Sequence, residues 1–156
     1  MQKNKYVLDL SSYSPHPANT KFTPPAAKDI DKLAQLMLDA FRGTIDDEGE
    51  TLAEAKLEVQ DYFNNHPLLD QSLVITDGHA PTSACLVTYM PKQDAPLIAY
   101  IMTTPSAKRS GQAKDLLRAV ITHLKQAGYS RVLAGITDGN IASEQLFVRI
   151  GFEKLS

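Results

Sequence analysis

The sequence has few of the residues that build disulfides or metal centres. It contains one cysteine, no tryptophan and four histidines among 156 residues. One cysteine excludes an internal disulfide and favours a reducing cytoplasm, and Cys85, within an apolar run, is expected to pack in the core. No histidine lies at a metal-ligand spacing from another histidine or cysteine, so no metal site is predicted.

Charge and hydropathy argue against two further classes of protein. The formal net charge of −2 gives no basic footprint, so no nucleic-acid partner is predicted. The apolar runs are too short to cross a bilayer, and the polar N-terminus lacks the apolar segment of a signal peptide, so no membrane partner is expected. With 43% apolar residues, the chain suits one domain around a single core.

The most informative stretch runs from Leu97 to Leu117 and has the pattern of a strand, a loop and a helix. Its apolar first part is rich in β-formers and ends at Pro105, because proline lacks a backbone donor. A helix that starts after such a loop leaves N–H groups unpaired at its positive end, and Gly111 leaves room for an anion. We therefore expect an anion site here. The alternative is an ordinary helix start with solvent-facing Lys108 and Arg109.

Apolar periodicity elsewhere predicts helices alternating with strands. Four prolines between residues 11 and 25 predict an extended connector. We divide the chain into an N-terminal strand with this connector, residues 1–21, and a main domain, residues 22–156. The other predicted helices cover residues 29–41 and 52–63, and the other predicted strands cover residues 5–10, 71–76, 82–89 and 131–137.

Two motifs resemble those of the Gcn5-related N-acetyltransferase family, in its bacterial members. The family pattern P-x-x-[Q/R]-x-x-G-x-[G/A] is matched by Pro105, Gly111 and Ala113, and N-x-x-A-x-x-L-Y-x-x-x-G-F is matched by Asn140, Ala142 or Ser143, Leu146, Gly151 and Phe152. The likeness covers roughly residues 22–155. It implies an α/β (α+β) acyl-CoA acyltransferase fold, in which helices flank a mixed central sheet.

The resemblance implies acetyl-CoA (coenzyme A) as the cofactor. In the family, two strands splay apart at a bulge to admit pantetheine, the first motif binds pyrophosphate, and the second forms the far wall of the slot. The residues implied to bind the cofactor are Ile101, Met102, Thr103, Lys108, Arg109, Ser110, Gly111, Gln112, Ala113, Asn140 and Phe147.

The sequence departs from the family pattern at two cofactor positions. Lys108 replaces the usual glutamine or arginine, which keeps a cation that is expected to face the phosphate. Phe147 replaces the tyrosine that protonates the departing thiolate in the family, and a phenyl ring has no proton to give. The usual general acid is therefore in doubt.

An acidic segment, Gly43 to Glu50, carries four carboxylates in five residues. The resemblance places it beside the acceptor groove, where Asp46, Asp47 and Glu48 would attract a cationic amine. The alternative is a solvated loop. No base stands out, because Leu97 occupies the position of the glutamate that some relatives use. Glu48 and Tyr100 are the remaining catalytic candidates, and packing in the sheet is the alternative role for Tyr100.

These features predict an N-acetyltransferase that uses acetyl-CoA and acts on a small amine or a peptide amino group by direct attack on the thioester. A non-catalytic acyl-CoA-binding module is the alternative, and a structural domain that binds no coenzyme A is a third. The segment after Phe152 offers one short strand, which would leave a sheet edge exposed. We expect residues 6–10 to cover such an edge, in the same subunit or across a symmetric homodimer.

Overall fold

The computed structural model describes residues 2–16 and 21–156, and the part of the predicted connector at residues 17–20 lies outside them. The described residues form seven strands and four helices. The strands are β1 (Lys3–Asp9), β2 (Phe22–Thr23), β3 (Leu73–Asp77), β4 (Ala80–Met90), β5 (Ala95–Thr103), β6 (Arg131–Thr137) and β7 (Glu153–Lys154). The helices are α1 (Ile30–Phe41), α2 (Leu52–Asn64), α3 (Gln112–Gln126) and α4 (Ile141–Ile150). The predicted helices and strands are confirmed within a few residues.

Polar caps fix the starts of two of these helices. The Thr51 hydroxyl accepts from the backbone N–H of Glu54, whose carboxylate accepts from the N–H of Thr51, which makes a capping box for α2. The side chain of Asn140 accepts from the N–H of Ser143 and caps α4. Helix α3 follows Gly111 and has no side-chain cap.

One sheet holds the seven strands in the order β2-β3-β4-β5-β6-β1-β7. Every neighbouring pair is antiparallel except β5 and β6, which are parallel. Helix α3 connects these two, since parallel neighbours need a crossover.

The N-terminal strand β1 lies inside this sheet, between β6 and β7. It pairs with the whole of β6, from Lys3 with Thr137 to Asp9 with Arg131. On its other side, Tyr6 and Val7 pair with the two residues of β7. The edge of β6 is therefore covered by β1 of the same chain. Our division at residue 21 assigned β1 to a separate N-terminal segment, whereas the strand lies inside the sheet of the main domain.

Helices cover both faces of the sheet and bury one apolar layer on each side. Residues of α3 and α4 pack with β1 and β6 on one face, where Tyr6, Leu117 and Phe152 are buried. Residues of α1 and α2 pack on the other face, where Met37 and Val59 are buried. No helix in the described part of the chain is long and apolar enough to cross a membrane.

The parallel strands β5 and β6 pair only briefly and then separate. Their paired residues are Leu97 with Leu133 and Ile98 with Ala134. The register between β4 and β5 shifts at this point, because Val87 pairs with Ile98 and Leu86 with Tyr100. The residue between, Ala99, is a β-bulge, and bulges bend the strand that contains them. Beyond it, the described residues of β5 and β6 no longer pair, and we call the space between these two strands the slot.

Candidate active site

The loop between β5 and α3, residues 105–113, forms one end of the slot, and we call it the phosphate loop. It begins with a 3₁₀ turn at Pro105–Ala107. Arg109 and Gly111 then adopt left-handed backbone conformations, with φ of +71° and +83°. This conformation is costly for a residue other than glycine, and at Arg109 it turns the chain so that successive N–H groups can converge.

Five backbone N–H groups in this loop and in the first turn of α3 have no acceptor among the described residues. The first helical hydrogen bond of α3 runs from Asp115 N–H to the Gly111 carbonyl. A Cβ on Gly111 would meet no atom nearer than Asp115 Oδ2, at 4.0 Å, so the space in front of the loop is open. These N–H groups and this space fit the pyrophosphate of coenzyme A. The five groups belong to Arg109, Gly111, Gln112, Ala113 and Lys114.

The side chains of the phosphate loop contribute less than its backbone. The ammonium group of Lys108, expected to face the phosphate, donates instead to the carbonyl of Ala40 at the end of α1, at 3.4 Å. The hydroxyl of Ser110 donates to the Ala107 carbonyl within the loop. Arg109 and Lys114 are both exposed, and they are the remaining cations closest to the open N–H groups along the chain.

The strand residues Ile101, Met102 and Thr103 lie on the separated part of β5, as the resemblance implied. They pair with β4 on one side, and no strand pairs with them on the side of β6. The Met102 side chain is buried under α1 and α2. The Thr103 hydroxyl lies 3.0 Å from that of Ser83. Their side chains are therefore packed or hydrogen-bonded, and the strand offers mainly backbone groups to the slot.

On the opposite side of the slot, the two predicted wall residues have different surroundings. Asn140 is half-buried at the end of β6, where it caps α4. Phe147 is only 3% exposed, and its ring packs edge-to-face against Phe152 with centroids 5.0 Å apart. The structure places this ring in the core under α4, because the apolar face of α4 packs onto the sheet there.

The acidic loop, residues 43–50, uses its carboxylates on the chain itself. Asp47 accepts from the N–H groups of Gly43 and Gly49, both at 2.9 Å. These hydrogen bonds, of which that from Gly43 is the stronger influence, lower the pKa of Asp47 below its usual value. The expectation that Asp47 binds the substrate is therefore not supported, since its oxygens hold the loop together.

Asp46 ties the acidic loop to the far wall of the slot. Its Oδ1 accepts from the Thr137 hydroxyl at 2.6 Å, and its Oδ2 accepts from the Asn140 side-chain amide at 3.1 Å. The adjacent Ile45 packs close to Gly139, where a Cβ would come within 3.2 Å of its Cδ1. Asp46, predicted to bind the substrate, thus anchors the loop beside the end of β6.

The two candidate bases lie in different places. Glu48 is exposed, and no hydrogen bond or ion pair reaches it from the described residues. Tyr100 is half-buried beside the α1–α2 core, and its hydroxyl donates to Glu58 Oε1 of α2 at 2.8 Å. Burial, the hydrogen bond to Glu58 and the charges of Glu58 and Asp61 raise the pKa of Tyr100 well above its usual range. This raised pKa keeps the Tyr100 phenol protonated at neutral pH, which argues against a role as a base.

Sequence reasoning missed two polar residues that the fold brings to the slot, Glu58 and Thr137. Glu58 lies three residues after Ala55 and four before Tyr62, which both belong to the buried stripe of α2. A charged residue that borders such a stripe lies where a helix meets its neighbours, and this spacing is a signal that could have indicated Glu58. Thr137 carries no comparable local signal.

Comparison with known families decides the assignment. The family model described as "FR47-like protein" matches residues 79–156, half of the chain. The matched part includes β5, the phosphate loop, β6 and α4. The chain belongs to the FR47-like family. FR47-like proteins are related to the Gcn5-related N-acetyltransferases, so the family resemblance is confirmed. Acetyl-CoA is the acyl donor of such enzymes. No curated protein matches the sequence significantly.

Solved structures agree with this assignment at the level of the fold. A Gcn5-related N-acetyltransferase from Sphaerobacter thermophilus is 16% identical with a TM-score of 0.72, over 98% of this FR47-like chain and 48% of the other. The chain thus spans about half the length of that protein. The ribosomal-protein-S18-alanine N-acetyltransferase from Escherichia coli is 14% identical with a TM-score of 0.70, over 86% and 78% of the two chains. AAC(6')-Iy, solved with the bisubstrate analogue CoA-S-monomethyl-acetylneamine, is 14% identical with a TM-score of 0.64, over 89% and 94%.

Proposed function

We propose that this protein is an N-acetyltransferase that transfers the acetyl group of acetyl-CoA to a small amine or a peptide amino group. The observation that carries the proposal is the phosphate loop, whose five N–H groups lack acceptors at the end of the slot between β5 and β6. An anion is the ligand that such a set of donors favours. The AAC(6')-Iy complex with a coenzyme A analogue supports coenzyme A as that ligand on the same fold.

The roles of the binding residues follow from their positions. The N–H groups of residues 109 and 111–114 would hold pyrophosphate, and the backbone of residues 101–103 would meet pantetheine. Acetyl-CoA supplies an activated acetyl thioester there. Asn140 is committed to capping α4 and to Asp46, so its contribution is to shape the wall of the slot.

Acetyl transfer here depends more on the placement of the acceptor amine than on an acid that protonates the leaving thiolate. Acetyl transfer to an amine needs an unprotonated nitrogen, and an amine with a pKa near 10 is about 0.1% neutral at pH 7. Removing its proton therefore accounts for about 4 kcal/mol of the barrier. The position of the family's phenol is taken by Phe147, which is buried. We infer that the thiolate leaves without a tyrosine proton donor, and that direct attack relies on a well-placed amine.

Calorimetry with acetyl-CoA, combined with detection of free coenzyme A over a panel of amines and N-terminal peptides, tests the proposal. We expect binding, and release of coenzyme A that depends on the acceptor. Binding without release on any acceptor would favour the non-catalytic acyl-CoA-binding module. No binding and no thermal shift at millimolar acetyl-CoA would leave only a structural role.

A further inference from the structure

A hydrogen-bonded pair links the sheet to α2 where the slot begins. The Tyr100 hydroxyl donates to Glu58 Oε1 at 2.8 Å. Tyr100 is the first residue after the bulge at Ala99 and the second after Ile98, the last residue of β5 that pairs with β6. The pair therefore lies where the two parallel strands begin to separate.

The position of this pair relative to the phosphate loop follows from the strand. Thr104, which precedes the loop, lies four positions after Tyr100, a distance of about 13 Å at the usual rise of a strand. Tyr100 and Met102 both pack towards the α1–α2 core. The pair thus lies at the end of the slot remote from the phosphate loop, on the face of the sheet that α1 and α2 cover.

The chemistry of the pair suits recognition of a cation. Since Tyr100 stays protonated, its hydroxyl donates to Glu58 and holds one carboxylate oxygen in place without neutralising the charge. The other oxygen, Oε2, has no partner among the described residues, and Glu58 is exposed, so solvent reaches it. A carboxylate with one fixed and one available oxygen is arranged to accept a hydrogen bond from a charged N–H donor.

The carboxylates of the acidic loop are less suitable for this role. Both oxygens of Asp46 and both of Asp47 already accept hydrogen bonds from the chain. An ammonium group could use only the second lone pair of each of these oxygens, whereas Oε2 of Glu58 offers both of its lone pairs.

We propose that Glu58, positioned by Tyr100, binds the acceptor amine as its ammonium ion, and that the acceptor is a primary amine with no carboxylate beside its nitrogen. The second condition follows because an acceptor carboxylate would be repelled by Glu58 and by the nearby Asp61. This inference rests on the proposed acetyltransferase function, and it names the class of acceptor. Tyr100 is a positioning residue, since it acts through Glu58.

The test measures amine binding directly, by NMR titration of the full chain without cofactor. The probes are n-butylamine and L-norvaline, which has the same alkyl chain with a carboxylate beside the nitrogen. We expect wild-type protein to bind n-butylamine at least about tenfold more tightly than L-norvaline. Glu58→Gln should weaken n-butylamine binding by about tenfold or more.

Two further variants separate positioning from a general structural effect. Tyr100→Phe should weaken n-butylamine binding by about threefold, and it should add nothing in the Glu58→Gln background, because the two residues act as one unit. Glu144→Gln on α4 makes the same charge change on the opposite face of the sheet and is the matched control, which should bind as wild type does.

Each outcome bears on the inference. Equal n-butylamine affinity in wild type and Glu58→Gln, or no saturable binding to wild type, overturns it. Additive effects of the two substitutions would overturn the role of Tyr100. Calorimetry with acetyl-CoA on the same samples keeps the two proposals apart. If acetyl-CoA binds normally and Glu58→Gln leaves amine affinity unchanged, only the acceptor assignment fails, whereas no binding of acetyl-CoA to wild type contradicts the acetyltransferase proposal.

Discussion

The phosphate loop and the acidic loop use the same backbone device in opposite ways. Each contains two residues with positive φ, Arg109 and Gly111 in the first and Gly43 and Gly49 in the second. In the acidic loop, the N–H groups of both glycines donate to the carboxylate of Asp47. In the phosphate loop, the corresponding two N–H groups have no acceptor among the described residues. One loop contains its own anion, and the other has a place for an external one.

Whether the backbone N–H groups of a loop already have acceptors in the chain distinguishes a structural loop from a binding loop, whatever the charge of its side chains. Four carboxylates in five residues draw attention to the acidic loop, yet two of them are committed to internal hydrogen bonds. The phosphate loop draws its capacity for binding from unused backbone donors. An anion that accepts from these donors replaces their hydrogen bonds to water with charge-assisted ones, which are stronger.

The largest effect is expected from placing an anion in the phosphate loop. Gly111→Asp should lower acetyl-CoA affinity at least about a hundredfold, because the new carboxylate would repel the pyrophosphate and occupy the open space. Isothermal titration calorimetry measures the affinity. Gly111→Ala is the matched control, since it meets the same positive φ of +83° without a charge. Both variants should lose about 1 kcal/mol of stability from that backbone conformation. Wild-type affinity in Gly111→Asp would contradict the assignment of the loop.

A smaller effect is expected from releasing the acidic loop. Asp46→Asn can still accept from Thr137, but its amide would face the amide of Asn140, donor against donor. We expect a loss of about 1 kcal/mol in the free energy of unfolding. Amide hydrogen exchange in residues 43–50 should become faster, while acetyl-CoA affinity stays within about twofold of wild type.

Glu48→Gln provides the control for that experiment. Glu48 has no hydrogen bond from the described residues, so its neutralisation should leave both melting and exchange unchanged. A loop that is equally mobile in both variants would show that Asp46 does not anchor it.

The smallest effect concerns Asp47 and depends on pH. Its folded pKa lies below its usual value, so the carboxylate stabilises the loop at pH values above the unfolded pKa of about 3.9, and this contribution is lost as the pH falls through the folded pKa. Asp47→Asn should therefore melt at a slightly lower temperature than wild type at pH 7. The difference should shrink as the pH falls below about 3.9 and through the folded pKa. A constant difference over this range, measured by thermal melting, would mean that the charge is not responsible.

The individual helices and strands could be predicted because the residues that indicate each of them lie within that element or next to it. Apolar periodicity predicted the bounds of α1 and α2 within a few residues, and proline and glycine marked the turns. The place of β1 between β6 and β7 could not be predicted. Pairing depends on partners far along the chain, and any apolar strand of suitable length has the same pattern.

The candidate site was predictable in its backbone and much less in its side chains. The motif around Pro105 and Gly111 located the phosphate loop, because its function depends on backbone geometry that glycine and proline encode. Carboxylates look alike in a sequence, so nothing indicated that Asp46 would meet Thr137, 91 residues away, or that Glu58 would meet Tyr100. Those pairings arise only when α1 and α2 pack over the sheet.

The interior place of β1 governs the order in which the sheet can assemble. Strand β1 has its main partner in β6, and Asn4 meets Asp138, which lies 134 residues later. During synthesis the first strand leaves the ribosome long before its partner exists, whereas β3, β4 and β5 pair with their immediate neighbours. The apolar side chains of Tyr6 and Leu8 therefore lack their native partners until β6, Arg131–Thr137, has been made. Closing so long a loop slows the final step of folding, and it makes the nascent first strand the segment that most needs protection from aggregation.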